Sequence, residues 1–392
     1  MFHTPTVFIL GAGASWHYGY PTGEDLVPQV VAAAQKLEQF FRYGAAQMSG
    51  NFPLFAIRNL EGDQRTIQPW LTAAEEAKDL ASRLERGNPV LIDYFLAQNQ
   101  KLHDIGRLAI ALAILECEKA AFVARGNPNH IAQHKRRVQQ GLASGPTPVV
   151  SAFSNDWVRF VLHSLTVKCE EPGDLKNNTV TFVTFNYDTS LERRLHDGLS
   201  SLEYFKESDI TDFFARDRVI HIYGKVREQT GADWKPFETN LSMGAGFHES
   251  VATLNAIYKA STGIRTIDGD DKLKNADAIR EAKVRIFGAR DLYLLGYGFD
   301  AQNNARLGLD EVKPTGKFNR SIFFTNFRGL DRVSYAAGKA LASNQYKFDD
   351  GKTHATTEGS DGAYHRKIDF RVSHKNVHDA LAEDFQFNDA MS

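Results

Sequence analysis

Apolar residues in this chain follow two spacings, and the alternation between them predicts the fold. From Thr6 to Leu10 the chain is apolar at almost every position and then stops at Gly11, the pattern of a short strand buried on both faces. Thr179 to Phe185 is the clearest strand of the chain. Arg218 to Tyr223, Asp291 to Leu295 and Ser321 to Thr325 give three more. Between these runs the spacing becomes helical. Leu26, Val30, Val31 and Leu37 recur after Pro21-Thr22, where proline restricts the entry and Thr22 is placed to cap a helix. Trp157, Phe160, Val161 and Leu165 do the same across Asn155 to Val167. Two further helices are predicted from Asp188 to Leu195, with Asp188 as candidate cap, and from Leu273 to Phe287. Short buried strands alternating with helices predict an α/β fold, a Rossmann-like parallel sheet with helices on both faces.

One long stretch breaks this alternation. From about Thr66 to Gln140 the chain is rich in Ala, Leu, Glu and Arg, with few β-branched residues, and Gly87-Asn88-Pro89 and Gly126-Asn127-Pro128 punctuate it. It reads as a helical insertion over residues 46–149, dividing an α/β domain made of 1–45 and 150–392. A chain of 392 residues has room for that division. The polar segment Asp349 to Gly362 reads as a surface loop.

Charge and cysteine usage narrow the chemistry. Lys and Arg number 46 against 48 Asp and Glu, a net charge of −2 that lacks the basic footprint of a stand-alone nucleic-acid binder. The run His134-Lys135-Arg136-Arg137 reads as solvated helix charge and leaves a nuclease as a distant alternative. Two cysteines, Cys117 and Cys169, exclude a disulfide scaffold and a four-thiolate zinc site, and suit a reducing cytoplasm. The longest apolar stretch, Leu108 to Leu115, falls short of the ~20 residues that span a bilayer. Val7 to Leu10 has neither the charged start nor the length of a signal peptide. A cytoplasmic protein without membrane association is expected.

Candidate chemistry gathers where the strands end. In an open parallel sheet, ligands bind outside the carboxyl ends of the strands. Four such ends carry unusual residues: Gly11-Ala12-Gly13-Ala14-Ser15, Asn186-Tyr187-Asp188, His221-Ile222-Tyr223-Gly224 and Gly296-Tyr297-Gly298-Phe299-Asp300. The first departs from the dinucleotide fingerprint, because Trp16 stands at the third glycine position and no second strand ends in an acidic ribose ligand. The amides of Ala12 to Ser15 can still cradle a pyrophosphate, unless the glycines only serve a tight turn. Asn186 offers donors and an acceptor without charge, suited to orienting a water or a ribose hydroxyl, or to capping the next helix, as Asp188 also could. His221 is a candidate base, or an ordinary half-buried strand histidine.

Taken in order, GAGAS with its following Pro-Thr-Gly, TFNYD, HIYG and LLGYGFD, from residue 7 to about 308, resemble the sirtuin superfamily. Within it the chain looks most like the sirtuin-like NADases of bacterial anti-phage defence. Leu91 to Leu96 is similar to a stretch found in the helical insert of that branch. The resemblance implies NAD+ as substrate, with Gly11, Ala12, Gly13, Ser15 and Thr22 around it. It implies that Asn186 positions the ribose or the attacking water, with Asp188 as its N-x-D companion. Gly296, Tyr297 and Gly298 would contact the adenosine half, and Asp93 would lie near the nicotinamide ribose. Two departures matter. Deacylating sirtuins carry a zinc ribbon of four cysteines; with two cysteines no zinc is expected and deacylation is disfavoured. The family's catalytic histidine directly precedes glycine, a place held here by Tyr223. His221 lies two residues earlier, on the same face of a strand, and is preferred as base because a phenol of pKa ~10 is a poor one at neutral pH.

The implied reaction is hydrolysis of the nicotinamide–ribose bond through an oxocarbenium-like state, with Asn186 and His221 as catalytic residues and no metal. The implied biology is NAD+ depletion in anti-phage defence, an abortive infection. A homo-oligomer built through the helical insert and a HerA-type ATPase (a DNA translocase) as partner are expected, with nucleic acid contacted only indirectly. The alternatives are a non-catalytic NAD or ADP-ribose sensor and, more remotely, a nuclease subunit.

Overall fold

The computed structural model describes residues 1–47, 67–126, 156–227, 235–265, 271–312, 320–341, 354–358, 364–385 and 387. In chain order its principal elements are β1 (Thr6–Leu10), α1 (Ala12–Trp16), α2 (Gly23–Ala46), α3 (Gln68–Gly87), α4 (Ile92–Gln98), α5 (His103–Gly126) and α6 (Val158–Thr166). Then come β2 (Val180–Thr184), α7 (Ser190–Ser200), α8 (Glu207–Phe214), β3 (Val219–His221), α9 (Phe247–Ser261) and α10 (Asp271–Gly288). The chain continues with β4 (Asp291–Leu295), α11 (Ala301–Leu307), β5 (Arg320–Thr325), α12 (Asp331–Leu341), β6 (His354–Glu358) and β7 (Tyr364–Ser373).

The strands form one sheet in the order β3-β2-β1-β4-β5-β7-β6, parallel throughout except for the antiparallel β6–β7 pair at the edge. The chain therefore starts in the middle, builds outward through β2 and β3, and returns past β1 to β4 and β5. That reversal puts a topological switch point between β1 and β4, where open α/β sheets bind their ligands. Register makes the arrangement sharper. Leu10 pairs with both Thr184 and Leu295, and Thr184 pairs with His221. Four strands thus end level with one another, and the four sequence motifs leave the sheet side by side.

β1, β2 and β4 are buried at every position, so both faces of the central sheet are covered. The reason is apolar content on both sides of the pleat. One face carries Phe182, Phe8, Tyr293 and Phe323 at paired positions, stacked with ring centroids 5.2, 4.9 and 4.5 Å apart. Each such pair contributes roughly 0.5–1.5 kcal/mol beyond its burial. Phe387 closes this ladder edge-on over Phe8 and Tyr293.

Within the stretch read as a helical insertion the described residues form α3, α4 and α5, and their buried side chains belong to the same continuous core as the sheet. α3 lies along α2, and Trp70, 2% exposed, packs between Phe41 and Phe247. Gly44 makes the room: a Cβ there would stand 2.2 Å from Trp70 Cζ3. Gly44→Ala should therefore destabilise the protein by about 1–3 kcal/mol through overpacking, despite the better helix propensity of alanine. A urea midpoint lower than wild type checks this, and an unchanged midpoint would mean that the indole shifts freely.

The structure departs from the sequence reading at three places. Within Asp349 to Gly362, read as a loop, His354–Glu358 is a strand, paired with β7, which the apolar pattern did not reveal. An edge pair is held by its backbone ladder and needs no continuous apolar run. Thr22 does occupy the N-cap position of α2, but its hydroxyl donates to Asp25 Oδ2 at 2.7 Å and takes no backbone N–H. β3 stops at His221, so Tyr223 lies in the turn beyond it and does not share a strand face with His221. The run His134 to Arg137 lies outside the described residues. Among the described residues no helix is long and apolar enough to cross a membrane.

Candidate functional site

The two glycine turns at the switch point interlock. A Cβ on Gly11 would meet Gly296 O at 2.4 Å, and one on Gly13 would meet Gly296 Cα at 2.8 Å. Gly296 itself has φ +59°, and its Cβ would stand 2.3 Å from Ala14 N. These three glycines let one backbone cross another at contact distance. The packing consumes donors: Gly13 N–H goes to Gly296 O at 3.2 Å and Ala14 N–H to Gly11 O at 2.9 Å. The cradle of amides expected over Ala12 to Ser15 is reduced accordingly. Gly298 differs, being exposed with open space where its Cβ would be. Tyr297 is buried between them and donates to Asn304 Oδ1 at 2.9 Å.

Asn186, just past β2, is held from several sides. Its Nδ2 donates to Gly11 O at 3.1 Å and to Ser15 Oγ at 2.7 Å. Its backbone N–H donates to Thr184 Oγ1 at 3.1 Å. Ser15 Oγ in turn donates to Asp188 Oδ1 at 3.1 Å, and Asp188 Oδ1 accepts the Ser190 N–H at 3.0 Å. The N-cap position of α7 is Thr189, not Asp188 as expected; Asp188 lies one residue earlier, takes the first N–H of the helix and ties the first turn to the second. Burial pushes its carboxyl above the ordinary range, against the pull of the Ser190 and Ser15 donors.

His221 has both ring nitrogens engaged. Nδ1 is 3.0 Å from the Asn186 carbonyl oxygen and Nε2 is 2.8 Å from Glu192 Oε1 on α7. The pair is enclosed, with His221 at 9% and Glu192 at 4% exposure. Burial alone would raise the Glu192 carboxyl, but His221, with Lys225 at 4.0 Å, holds it below its usual range. A carbonyl oxygen only accepts, so Nδ1 carries a proton. With Nε2 against a carboxylate, the imidazole braces the Asn186 peptide and presents no unengaged nitrogen.

Tyr223 takes the outer position. Its hydroxyl donates to Asn303 Oδ1 and accepts from Arg306 Nη1 at 2.6 Å, both partners on α11. Burial raises the phenol far above its ordinary pKa, so it is a neutral donor and no base. Phe185 lies between Tyr223 and Tyr297, 5.7 and 5.5 Å from their rings. From α4, Asp93 reaches across to accept the Tyr187 hydroxyl. Burial pushes the Asp93 carboxyl up to about 6, although Tyr187 and Arg306 favour its charged form.

That shift has a stability signature. Unfolded, Asp93 loses its proton near pH ~4; folded, it keeps it to about 6, so stability falls as pH rises through this window and levels off above it. Asp93→Asn removes this contribution and leaves those of other shifted groups such as Glu76 and His17. Relative to that variant, wild type should lose about 1–3 kcal/mol across the window, read from denaturation midpoints at stepped pH.

The structure thus brings together Gly11, Gly13, Ser15, Asn186, Asp188, His221 and Gly296 through direct contacts, and Asp93 joins through Tyr187. Ala12 is half-buried on the same turn, whereas the Thr22 hydroxyl is tied to its own helix. Sequence reasoning missed Glu192, Asn303 and Arg306. Glu192 and Arg306 look like ordinary solvated helix charges in the sequence, and only the tertiary fold aims them at His221 and Tyr223. It also missed the buried Glu118–Arg227 pair, at 2.7 Å, which fastens α5 to the segment after β3. Among the described residues no group of three or more His, Cys, Asp or Glu is arranged to hold a metal ion. No protein-family model matches the chain, and no curated protein or solved structure shows significant similarity to it.

Proposed function

We propose that the chain is an NAD+ glycohydrolase that uses water to cut the nicotinamide–ribose bond, giving nicotinamide, ADP-ribose and one proton. The observation that supports this most is the level register of four strand ends around the β1–β4 switch point, with both glycine turns, Asn186 and the HIYG turn on adjacent strands. A dinucleotide laid there would have its pyrophosphate near the first turn and a ribose within reach of Asn186. Nicotinamide leaves as a neutral molecule and asks for no general acid. The residues need only hold the ribose while positive charge develops on it, exclude stray water and orient one. Asn186 is the group assigned to the reacting centre. His221, engaged at both nitrogens, is assigned to support it from behind. No step calls for zinc. The reading extends to NAD+ depletion in anti-phage defence, in the cytoplasm, by a homo-oligomer regulated by a HerA-type ATPase.

The experiment is incubation of the purified chain with NAD+, alone and with a candidate ATPase partner, with separation of the products. Nicotinamide and ADP-ribose in equal amounts are expected. One observation favours a second reading: with Tyr223 neutral and His221 occupied, the site could hold NAD+ or ADP-ribose as a sensor without cutting it. NAD+ that binds and survives under both conditions would establish that reading instead.

A further inference from the structure

Every polar atom of Asn186 but one has a partner among the described residues. The backbone N–H goes to Thr184, the carbonyl oxygen takes His221 Nδ1, and Nδ2 serves Gly11 and Ser15. Oδ1 is left over, on a residue that is only half-buried. The assignment of the two amide atoms follows from chemistry. Gly11 O is a carbonyl and can only accept, so the Asn186 atom 3.1 Å from it must be the NH2 group. Ser15 gives the same answer independently. Its single hydrogen is directed to Asp188 Oδ1 at 3.1 Å or to Ser190 Oγ at 3.4 Å, and either way an oxygen lone pair is left toward Asn186 at 2.7 Å. Two amide hydrogens meet two acceptors, and the count closes.

We propose that Ser15 is a positioning residue whose work is to fix the polarity of the Asn186 amide. The site then offers an acceptor, Oδ1, and takes a hydrogen-bond donor at that point: a sugar hydroxyl or a water, and not a carbonyl or phosphate oxygen. This deepens the glycohydrolase reading, which supplies the ribose and the water, and it changes the place of Ser15. Sequence resemblance put Ser15 among the residues that touch NAD+; the geometry spends its hydroxyl on Asp188 and Asn186 instead. Without that hydroxyl the amide keeps only Gly11 as its guide, and the flipped orientation, with NH2 toward substrate, becomes populated.

The test reads the amide first and the reaction second. In the intact chain labelled with nitrogen-15 at asparagine, the Asn186 side-chain signals are identified by their loss in Asn186→Ala. Both Nδ2 protons are expected to exchange slowly with solvent, and in Ser15→Ala one of them should exchange at least ~10-fold faster, the equivalent of one lost hydrogen bond. Free exchange in wild type, or an unchanged pattern in Ser15→Ala, overturns the proposal whatever the protein does with NAD+. Asn186→Asp adds a second signature. As a carboxylate it sets oxygen against Gly11 O and against a serine already committed to Asp188, so nicotinamide release should fall ~100-fold at neutral pH. Release should recover in part as pH drops toward ~5, where a protonated carboxyl again donates. Asn186→Ala should show no such recovery, and a flat profile in Asn186→Asp would overturn the polarity argument. If wild type cleaves no NAD+ while its amide protons are protected as described, the assigned reaction fails and the role of Ser15 stands.

Discussion

Gly296→Ala is expected to destabilise the fold strongly. Two penalties coincide there. The residue sits at φ +59°, where an L side chain loses roughly 1–2 kcal/mol, and its new Cβ would lie 2.3 Å from Ala14 N and 2.4 Å from Gly13 C. Neither obstacle is a side chain that can swing away. Gly13 and Ala14 are themselves bonded to Gly296 O and Gly11 O, so relief requires the two turns to separate and their hydrogen bonds to open. A loss of about 3–5 kcal/mol follows, seen as a denaturation midpoint far below wild type. Gly298→Ala is the control, because open space surrounds its Cβ position; it should leave stability nearly unchanged. Equal behaviour of the two variants would contradict the interlocked-turn account.

Asn186→Ala should give the largest loss of function. The side chain contributes an acceptor, Oδ1, that takes no partner among the described residues, and its removal takes away both the proposed contact to substrate and the link between the first and second turns. Nicotinamide release should fall by about 100–1,000-fold, mostly in kcat, as for loss of a positioned polar group at a reacting centre. Stability should suffer far less. Gly11 O still accepts from Ala14, and Ser15 still donates to Asp188, so neither partner is left unsatisfied. Glu192→Gln separates this role from that of His221. It weakens the brace on the Asn186 peptide without touching the amide, and a milder loss of turnover is expected. A loss as deep as that of Asn186→Ala would mean that the His221–Glu192 pair itself reacts.

The sheet was readable in the sequence because its central strands are saturated with apolar residues. β1 and β4 fall where the runs at Thr6 and Asp291 predict them, and β2 and β5 within a residue or two. β7 was not readable. Its buried Ile368 and Phe370 stand among charged residues, and its order comes from pairing with β5 and β6. The four motif turns were legible as a set, but their internal division of labour was not. Nothing in GAGAS says that Gly11 and Gly13 face another glycine turn, or that Ser15 faces Asp188. His221 was singled out in the sequence and lies against Asn186, yet its partner Glu192 lies 29 positions away along the chain, within a helix that reads as solvated. Contacts of that separation belong to the tertiary fold and leave no local pattern.

A crystal structure of the chain with ADP-ribose bound tests the central claim most directly. The account predicts the pyrophosphate over the turn from Gly11 to Ser15, at the β1–β4 switch point. It also predicts the free ribose donating a hydroxyl to Asn186 Oδ1, directly or through one water. ADP-ribose seated elsewhere on the protein, or a ribose that meets the NH2 edge of Asn186 instead, would contradict it.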